Sequence, residues 1–199
     1  AFALGVAALV AFVRNRPLGG RVWTAVAMAG HPTTGLWFGM LLVPAVFVAR
    51  PAWRRFIVAG LAVAGVAAGW ALAAGPLAPR MVVMDAPWLA VLAEKDYLFP
   101  TAWPFDAWAI NLVGYPVLIW FIFRQRQAAR VTIPNEDALL AGVAALLATF
   151  ILSVPLTALH VALAVQLQVT RVFWLMDFIA VAYVAWWLTS SPWWERTVG

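Results

Sequence analysis

The stretch that decides the fold runs from Phe56 to Ala74 and reads FIVAGLAVAGVAAGWALAA. It contains no charged residue. As a helix rising about 1.5 Å per residue, it would almost cross the roughly 30 Å hydrocarbon core of a bilayer. Because a single helix satisfies its own backbone hydrogen bonds in lipid, the stretch predicts a transmembrane helix.

The rest of the chain has the same character. Of its 199 residues, 65% are hydrophobic and 11% are charged, with a mean hydropathy of +0.91. A soluble domain carries about 25% charged residues, so there is too little charge here to cover a water-exposed surface. Several of the 13 tryptophans end apolar runs, where an indole ring suits the membrane interface. We therefore predict an all-α fold, a polytopic transmembrane bundle of about six or seven helices.

Short polar stretches separate the other apolar runs, which are Ala1–Val13, Pro17–Gly30, Leu36–Ala49, Ala107–Phe123, Ala138–Leu159 and Val172–Leu188. The first run is too short to span, and we interpret it as the end of a helix that starts upstream. Residues 1–199 would then be one transmembrane domain from the C-terminal part of a longer protein. The glycines of the deciding stretch include a small-xxx-small spacing, which allows another helix to approach closely (Gly60, Gly65 and Gly69).

One long polar connection, residues 75–106, interrupts the pattern with charged residues and prolines. Within it, Asp85 can cap a short helix over Pro87–Ala93. Apolar side chains dominate that helix, as is typical of a helix lying on the membrane surface. We predict a polar loop on the outer face that carries one interfacial helix.

Two arginine clusters set the predicted orientation, the first with Arg14, Arg16 and Arg21, the second with Arg50, Arg54 and Arg55. They share one side if Pro17–Gly30 and Pro32–Ala49 form a helical hairpin that turns at His31. Every lysine and arginine is then cytoplasmic except Arg80, Lys95 and Arg171. The long loop and residues 160–171 are outside.

Composition excludes several classes of function. The net charge of +5 would suggest nucleic acid in a soluble protein, but these arginines lie between apolar runs, so membrane lipids are the expected partner. The chain has no cysteine, which excludes disulfides and a cysteine nucleophile. We find no cofactor motif in the sequence. We predict no metal site, because the two histidines form no HxxxH or HxxE pair; a bound divalent metal ion is the alternative.

The predicted outer face collects polar residues that could bind a substrate. His31 and His160 either line a pocket or cap helix ends. The stretch Glu94-Lys95-Asp96 is either a solvated helix end or a site for a phosphate or sugar, with Lys95 pairing the phosphate. Arg171 runs against the charge bias, so it either binds an anionic partner or extends to the outer head groups. Its neighbours Gln166 and Gln168 are costly there unless they face a cavity or head groups.

Asp177 lies inside the last apolar run. A carboxylate at that depth is expected to face protein and pair with a polar group on another helix. A proton-coupling role is the alternative.

The segment from Arg16-Pro17 through small residues to His31-Pro32-Thr33-Thr34-Gly35-Leu36 resembles a pattern of bacterial GT-C membrane glycosyltransferases. Gln168-Val169-Thr170-Arg171 is similar to a polar Q-x-x-R stretch before the last span of such relatives. The resemblance covers these two short segments and the general layout.

The resemblance implies a polyprenyl-phosphate-linked sugar donor used on the outer side of the bacterial cytoplasmic membrane. Its substrate-binding residues would be His31, Thr33, Glu94, Lys95, Asp96, His160, Gln168 and Arg171. The catalytic acid of that family lies in a first outer loop near its N-terminus, which this chain does not show, so we assign no catalytic residue.

Two functions follow from the sequence. The first is GT-C-like transfer of a sugar from a lipid-phosphate donor, which predicts that the candidate side chains converge in one cavity at the outer leaflet. The alternative is a non-enzymatic integral membrane protein, either part of a transporter or an assembly subunit, in which Asp177 would face a path across the bilayer.

Overall fold

The structure is a computed structural model that describes residues 1–130 and 133–190. Its helices are α1 (Phe2–Val13), α2 (Pro17–Gly30), α3 (Pro32–Ala49), α4 (Arg54–Ala73), α5 (Ala86–Leu92), α6 (Phe105–Ala128), α7 (Glu136–Ala158), α8 (Ala162–Leu167) and α9 (Val172–Ser190). Within the described ranges, β-type pairing is limited to one antiparallel bridge between Val83 and Val161. The predicted all-α fold is confirmed.

Five described segments are long and apolar enough to cross a bilayer, namely Pro32–Ala49, Pro51–Ala73, Phe105–Ala128, Glu136–Ala158 and Ala162–Thr189. The helices α1, with 12 residues, and α2, with 14 residues, are shorter than a span needs, as predicted. The chain is a multi-pass helical membrane protein.

The predicted helical hairpin is confirmed at both of its bounds. The helix α2 ends at Gly30 and α3 begins at Pro32, because His31 between them is extended, with φ −159° and ψ 97°. Pro32 lacks an N–H and suits the first position of α3. A side chain at Gly35 would overlap the backbone of Met28, so this glycine allows the two arms to pack side by side.

The bundle has two opposite ends, which we name by their residues. At the arginine end, the Asn135 side-chain amide at the start of α7 donates to the Phe12 carbonyl at the end of α1, at 2.9 Å. Arg21 and Arg50 line one groove together with Phe12 and Asn135. The two arginine clusters therefore share one end of the bundle, as predicted. That this end is cytoplasmic stays a prediction of the positive-inside rule.

At the other end, the loop end, the long polar loop pairs with the segment after α7. The Met84 N–H donates to the His160 carbonyl at 3.0 Å, and the Ala162 N–H donates to the Val82 carbonyl at 2.9 Å. The helix α3 runs from His31 to the arginine end, so His31 also lies toward the loop end.

The core contains side chains from α1, α3, α6, α7 and α9. The helices α3 and α7 pack closely at Gly142, where a side chain would overlap the carbonyl oxygen of Leu41. Small residues at such crossings let membrane helices gain van der Waals contact. Around this crossing lie large, fully buried side chains that include Phe38, Leu41, Leu146, Phe150 and Met176.

The helix α4 lies apart from this core, and none of its residues is buried. Nothing lies within 4 Å of a Cβ built at Gly60, Gly65 or Gly69. No helix of the described chain therefore uses the small-xxx-small spacing that the sequence offers. Close approaches between helices occur instead at Gly5, Gly35 and Gly142.

The polar loop contains the predicted short helix, α5, over Ala86–Leu92. The Asp85 carboxylate accepts from the Trp88 N–H at 3.0 Å, so the predicted helix cap is confirmed. After the loop, α6 contains a π-helical turn over Ile110–Gly114, which ends two residues before Pro116. Because proline disrupts a regular helix, a wider turn at this position is a common accommodation.

Candidate functional site

Polar side chains from two segments meet at the loop end, and we call them the loop-end cluster: Arg80, Asp96, His160, Gln166, Gln168 and Arg171. The two backbone hydrogen bonds of Met84 and Ala162 hold the segments together. A small apolar cluster of Met84, Leu98, Ala162 and Val165 lies beneath them. The loop end therefore has a small hydrophobic core of its own.

Trp103 attaches the loop to the bundle. Its ring stacks on Phe150 of α7, with centroids 5.9 Å apart and an interplanar angle of 14°. It also lies 5.8 Å from the ring of Phe173 in α9. Its indole N–H donates to the Asp96 carbonyl at 3.2 Å, so one side chain positions the turn that carries Lys95 and Asp96.

Replacing Trp103 by alanine is expected to lower the free energy of unfolding by about 2 kcal/mol, because a half-buried aromatic anchor is lost. Trp103→Phe keeps ring stacking but loses the N–H donor, so it is expected to lower the free energy of unfolding by about 1 kcal/mol. Thermal unfolding in detergent, followed by circular dichroism, measures both. Trp88→Ala in exposed α5 is the control, and an equal loss there would contradict the anchoring role.

The Q-x-x-R segment forms a sharp turn that ends α8. Gln168 has a φ of 52°, in the left-handed region that few non-glycine residues adopt. A 3₁₀ turn then covers Val169–Arg171 and leads directly into α9. The left-handed residue directs the chain from α8 into α9, and it places Gln168 and Arg171 on the same turn.

Two polar atoms of this turn lack partners. The Gln168 Oε1 and the Arg171 Nε are both buried, and neither has a hydrogen-bond partner. The Arg171 guanidinium carbon lies 5.0 Å from the centroid of the Trp174 ring. Buried polar atoms are normally paired, so this unmatched donor and this unmatched acceptor on one turn are candidates for contact with a ligand.

The structure brings four of the predicted residues together. The turn that contains Asp96 lies beside the turn that contains Arg171. The His160 ring packs edge-on against Phe99, with centroids 5.7 Å apart. Glu94 and Lys95 adjoin this group and are exposed. Arg80 donates to the Gln166 side chain across the same cluster.

His31 and Thr33 lie at the hairpin turn instead. The His31 ring is exposed, and its Nδ1 accepts from the Thr34 N–H at 3.3 Å. That geometry fits the helix-cap alternative for His31. Thr33 is half-buried in the first turn of α3.

Among the residues that the structure describes, no group of three or more His, Asp, Glu or Cys side chains could hold a metal ion. Asp177 is exposed on α9 and lies beside the Tyr115 hydroxyl of α6. A polar partner on another helix is therefore present, as expected, but the carboxylate is not enclosed by protein.

A buried ion pair at the arginine end was not predicted from the sequence. The Arg126 Nε donates to the Glu136 Oε1 at 3.0 Å, and each side chain is 2% exposed. The Arg126 guanidinium carbon also lies 3.4 Å from the centroid of the Trp186 ring. One signal existed: Arg124 and Arg126 are about 200° apart around a helix, so their side chains lie on nearly opposite faces of α6.

Two cavities lie toward the arginine end and contain none of the predicted site residues. The larger, of about 360 Å³, is bordered by α2, α3 and the start of α4. The smaller, of about 310 Å³, is bordered by α1, α7 and α9. The predicted convergence of the candidate side chains in one cavity is not seen in either of these cavities. Some of the candidates lie together at the surface of the loop end, whereas His31 and Thr33 lie at the hairpin turn.

The chain matches no family model, and comparisons with curated proteins and with solved structures find no match.

Proposed function

We propose that this chain is a GT-C-like membrane glycosyltransferase domain that binds a lipid-phosphate-linked sugar at the loop end. One observation supports the proposal above the others: the Arg171 Nε and the Gln168 Oε1 are buried and unmatched on a single turn. This pair offers a cationic donor to a phosphate and an acceptor to a sugar hydroxyl.

The position of Arg171 suits a donor that is anchored in lipid. Arg171 directly precedes α9, the helix that forms most of the apolar segment Ala162–Thr189, so its guanidinium lies at the turn that joins α8 to α9. A lipid phosphate lies at that depth while its chain stays in the hydrocarbon. A guanidinium can bind such a phosphate through two parallel hydrogen bonds.

The neighbouring side chains complete the proposed site. Lys95 adds a second positive charge for the phosphate, and the Asp96 and Glu94 carboxylates accept hydrogen bonds from sugar hydroxyls. His160 lines the site against Phe99. During transfer, the bond between the anomeric carbon and the phosphate oxygen breaks, and the lipid phosphate leaves. The acceptor oxygen bonds to that carbon, and its proton passes to a base that we do not assign.

Binding of farnesyl phosphate tests the proposal, with farnesol as the phosphate-free probe. Arg171→Gln is expected to weaken binding of farnesyl phosphate about tenfold or more, because a charge-assisted hydrogen bond is lost, and to leave farnesol unchanged. Arg80→Gln is the matched control, since it removes the same charge from the same end but from a guanidinium already bonded to Gln166.

Two results would oppose the proposal. Equal losses in Arg171→Gln and Arg80→Gln would indicate a general charge effect without a site. Equal binding of farnesyl phosphate and farnesol would contradict the proposal of a lipid-phosphate donor and would favour the non-enzymatic alternative. If the phosphate binds, incubation with a polyprenyl-phosphate-linked hexose should release polyprenyl phosphate.

A further inference from the structure

The larger cavity at the arginine end is a groove of about 360 Å³ between one face of α2 and one face of α3. Gly20, Thr24 and Met28 line it, at the spacing of a single helix face. From Gly20 to Met28 the helix rises by about 12 Å, close to the roughly 15 Å of hydrocarbon in one leaflet. The groove therefore has the length of an acyl chain in one leaflet and does not provide a path across the membrane.

The mouth of this groove is basic. Arg21 and Arg50 border it, and none of the described residues that line it is acidic. The Arg21 guanidinium carbon lies 4.0 Å from the centroid of the Trp53 ring, which holds the charge beside an indole. Tryptophan and arginine are both typical of the head-group region. An apolar groove with a cationic mouth is complementary to an anionic amphiphile.

We propose that this groove binds one anionic membrane phospholipid, with an acyl chain beside Met28 and Gly39 and the phosphate between Arg21 and Arg50. An apolar groove at membrane depth takes up a lipid chain, because the side chains that line an unfilled groove would lose dispersion contacts. The two arginines then select the head group. The site lies at the opposite end from the loop-end cluster and does not depend on the function proposed above.

The head-group selection can be measured by native mass spectrometry of the full chain in a neutral detergent. Phosphatidylglycerol is expected to bind about tenfold more tightly than phosphatidylcholine. Arg21→Gln and Arg50→Gln should each weaken the binding of phosphatidylglycerol about fivefold and leave the binding of phosphatidylcholine unchanged. Arg55→Gln removes the same charge at the same end but outside the groove, and it should have little effect.

The part of the site that would hold the acyl chain can be tested by filling the groove. Gly39 lines the groove, and a Cβ built there meets nothing within 4 Å, so Gly39→Phe attaches a ring at the groove without a clash at its Cβ. It is expected to weaken the tight phosphatidylglycerol site about tenfold. Gly60→Phe on α4 is the matched control, because it is equally open but lies outside the groove.

Several outcomes would overturn the proposal. Equal affinity for the two lipids would show only general contact with the bilayer. An equal loss in Arg55→Gln and Arg50→Gln would show an effect of net charge. Unchanged binding in a folded Gly39→Phe variant would place the lipid elsewhere. Should Gly39→Phe lower the melting temperature, the comparison of the three arginine variants still decides.

Discussion

Replacing Glu136 alone by leucine is expected to lower the free energy of unfolding by about 3–5 kcal/mol, the largest effect of any single change that we foresee. The reason is the charge that remains. Arg126 is 2% exposed, and its Nε has the Glu136 Oε1 as its partner at 3.0 Å. Its two Nη atoms are buried without hydrogen-bond partners, so removing the carboxylate leaves a buried guanidinium without its anion.

The double variant Arg126→Met/Glu136→Leu separates the lost charge from the lost volume. Removing both charges is expected to recover most of the stability, because an apolar pair of similar size avoids the desolvation of two ions. Asp137→Asn changes the adjacent but exposed carboxylate and serves as the matched control. Unfolding in detergent, analysed as a double-mutant cycle, measures the coupling. Equal losses in Glu136→Leu and Asp137→Asn would show that the ion pair is unimportant.

A leucine at Gly142 is expected to cost about 3 kcal/mol or more, because α3 and α7 cross at this glycine. The first added carbon would overlap the carbonyl oxygen of Leu41, which is backbone and cannot rotate away as a side chain can. The helices would have to separate, and contacts around Phe38 and Leu146 in the core would be lost.

The matched control for this prediction is Gly60→Leu. It introduces the same side chain on α4, where a Cβ has nothing within 4 Å. There the higher helix propensity of leucine should be neutral or slightly stabilising. Melting temperatures and the monodisperse fraction in size-exclusion chromatography compare the two variants. Similar melting temperatures for both would mean that the close crossing contributes little.

The hairpin and the loop helix could be predicted because local chemistry specifies them. Pro17 and Pro32 occupy first helical turns, and Asp85 caps α5 through its own side chain. Each of these signals acts over a few residues, so the predicted bounds of α2 and α3 agree with the structure. The sharing of one end by the arginine clusters followed from the same bounds.

The contents of the site were predicted less completely. Gln168 and Arg171 stood out because polar residues beside a span are costly, and both belong to the loop-end cluster. Their meeting with Asp96 depends on the left-handed backbone of Gln168 and on Trp103, which joins the loop to α7 and α9. His31 was grouped with this site by its predicted side alone, and its observed partner is Thr34 of its own helix.

The amino-acid sequence was sufficient for the class of the protein, the course of its helices and the end at which its arginines gather. Hydropathy and helix-start signals are local, and a helix in lipid satisfies its own backbone. The tertiary structure was needed to show that Arg126 pairs with Glu136, that Gly142 and not the glycines of α4 forms a close crossing, and that α2 and α3 leave a groove between them. Each of these depends on how helices rotate and pack against one another, which the spacing of residues along one helix does not specify.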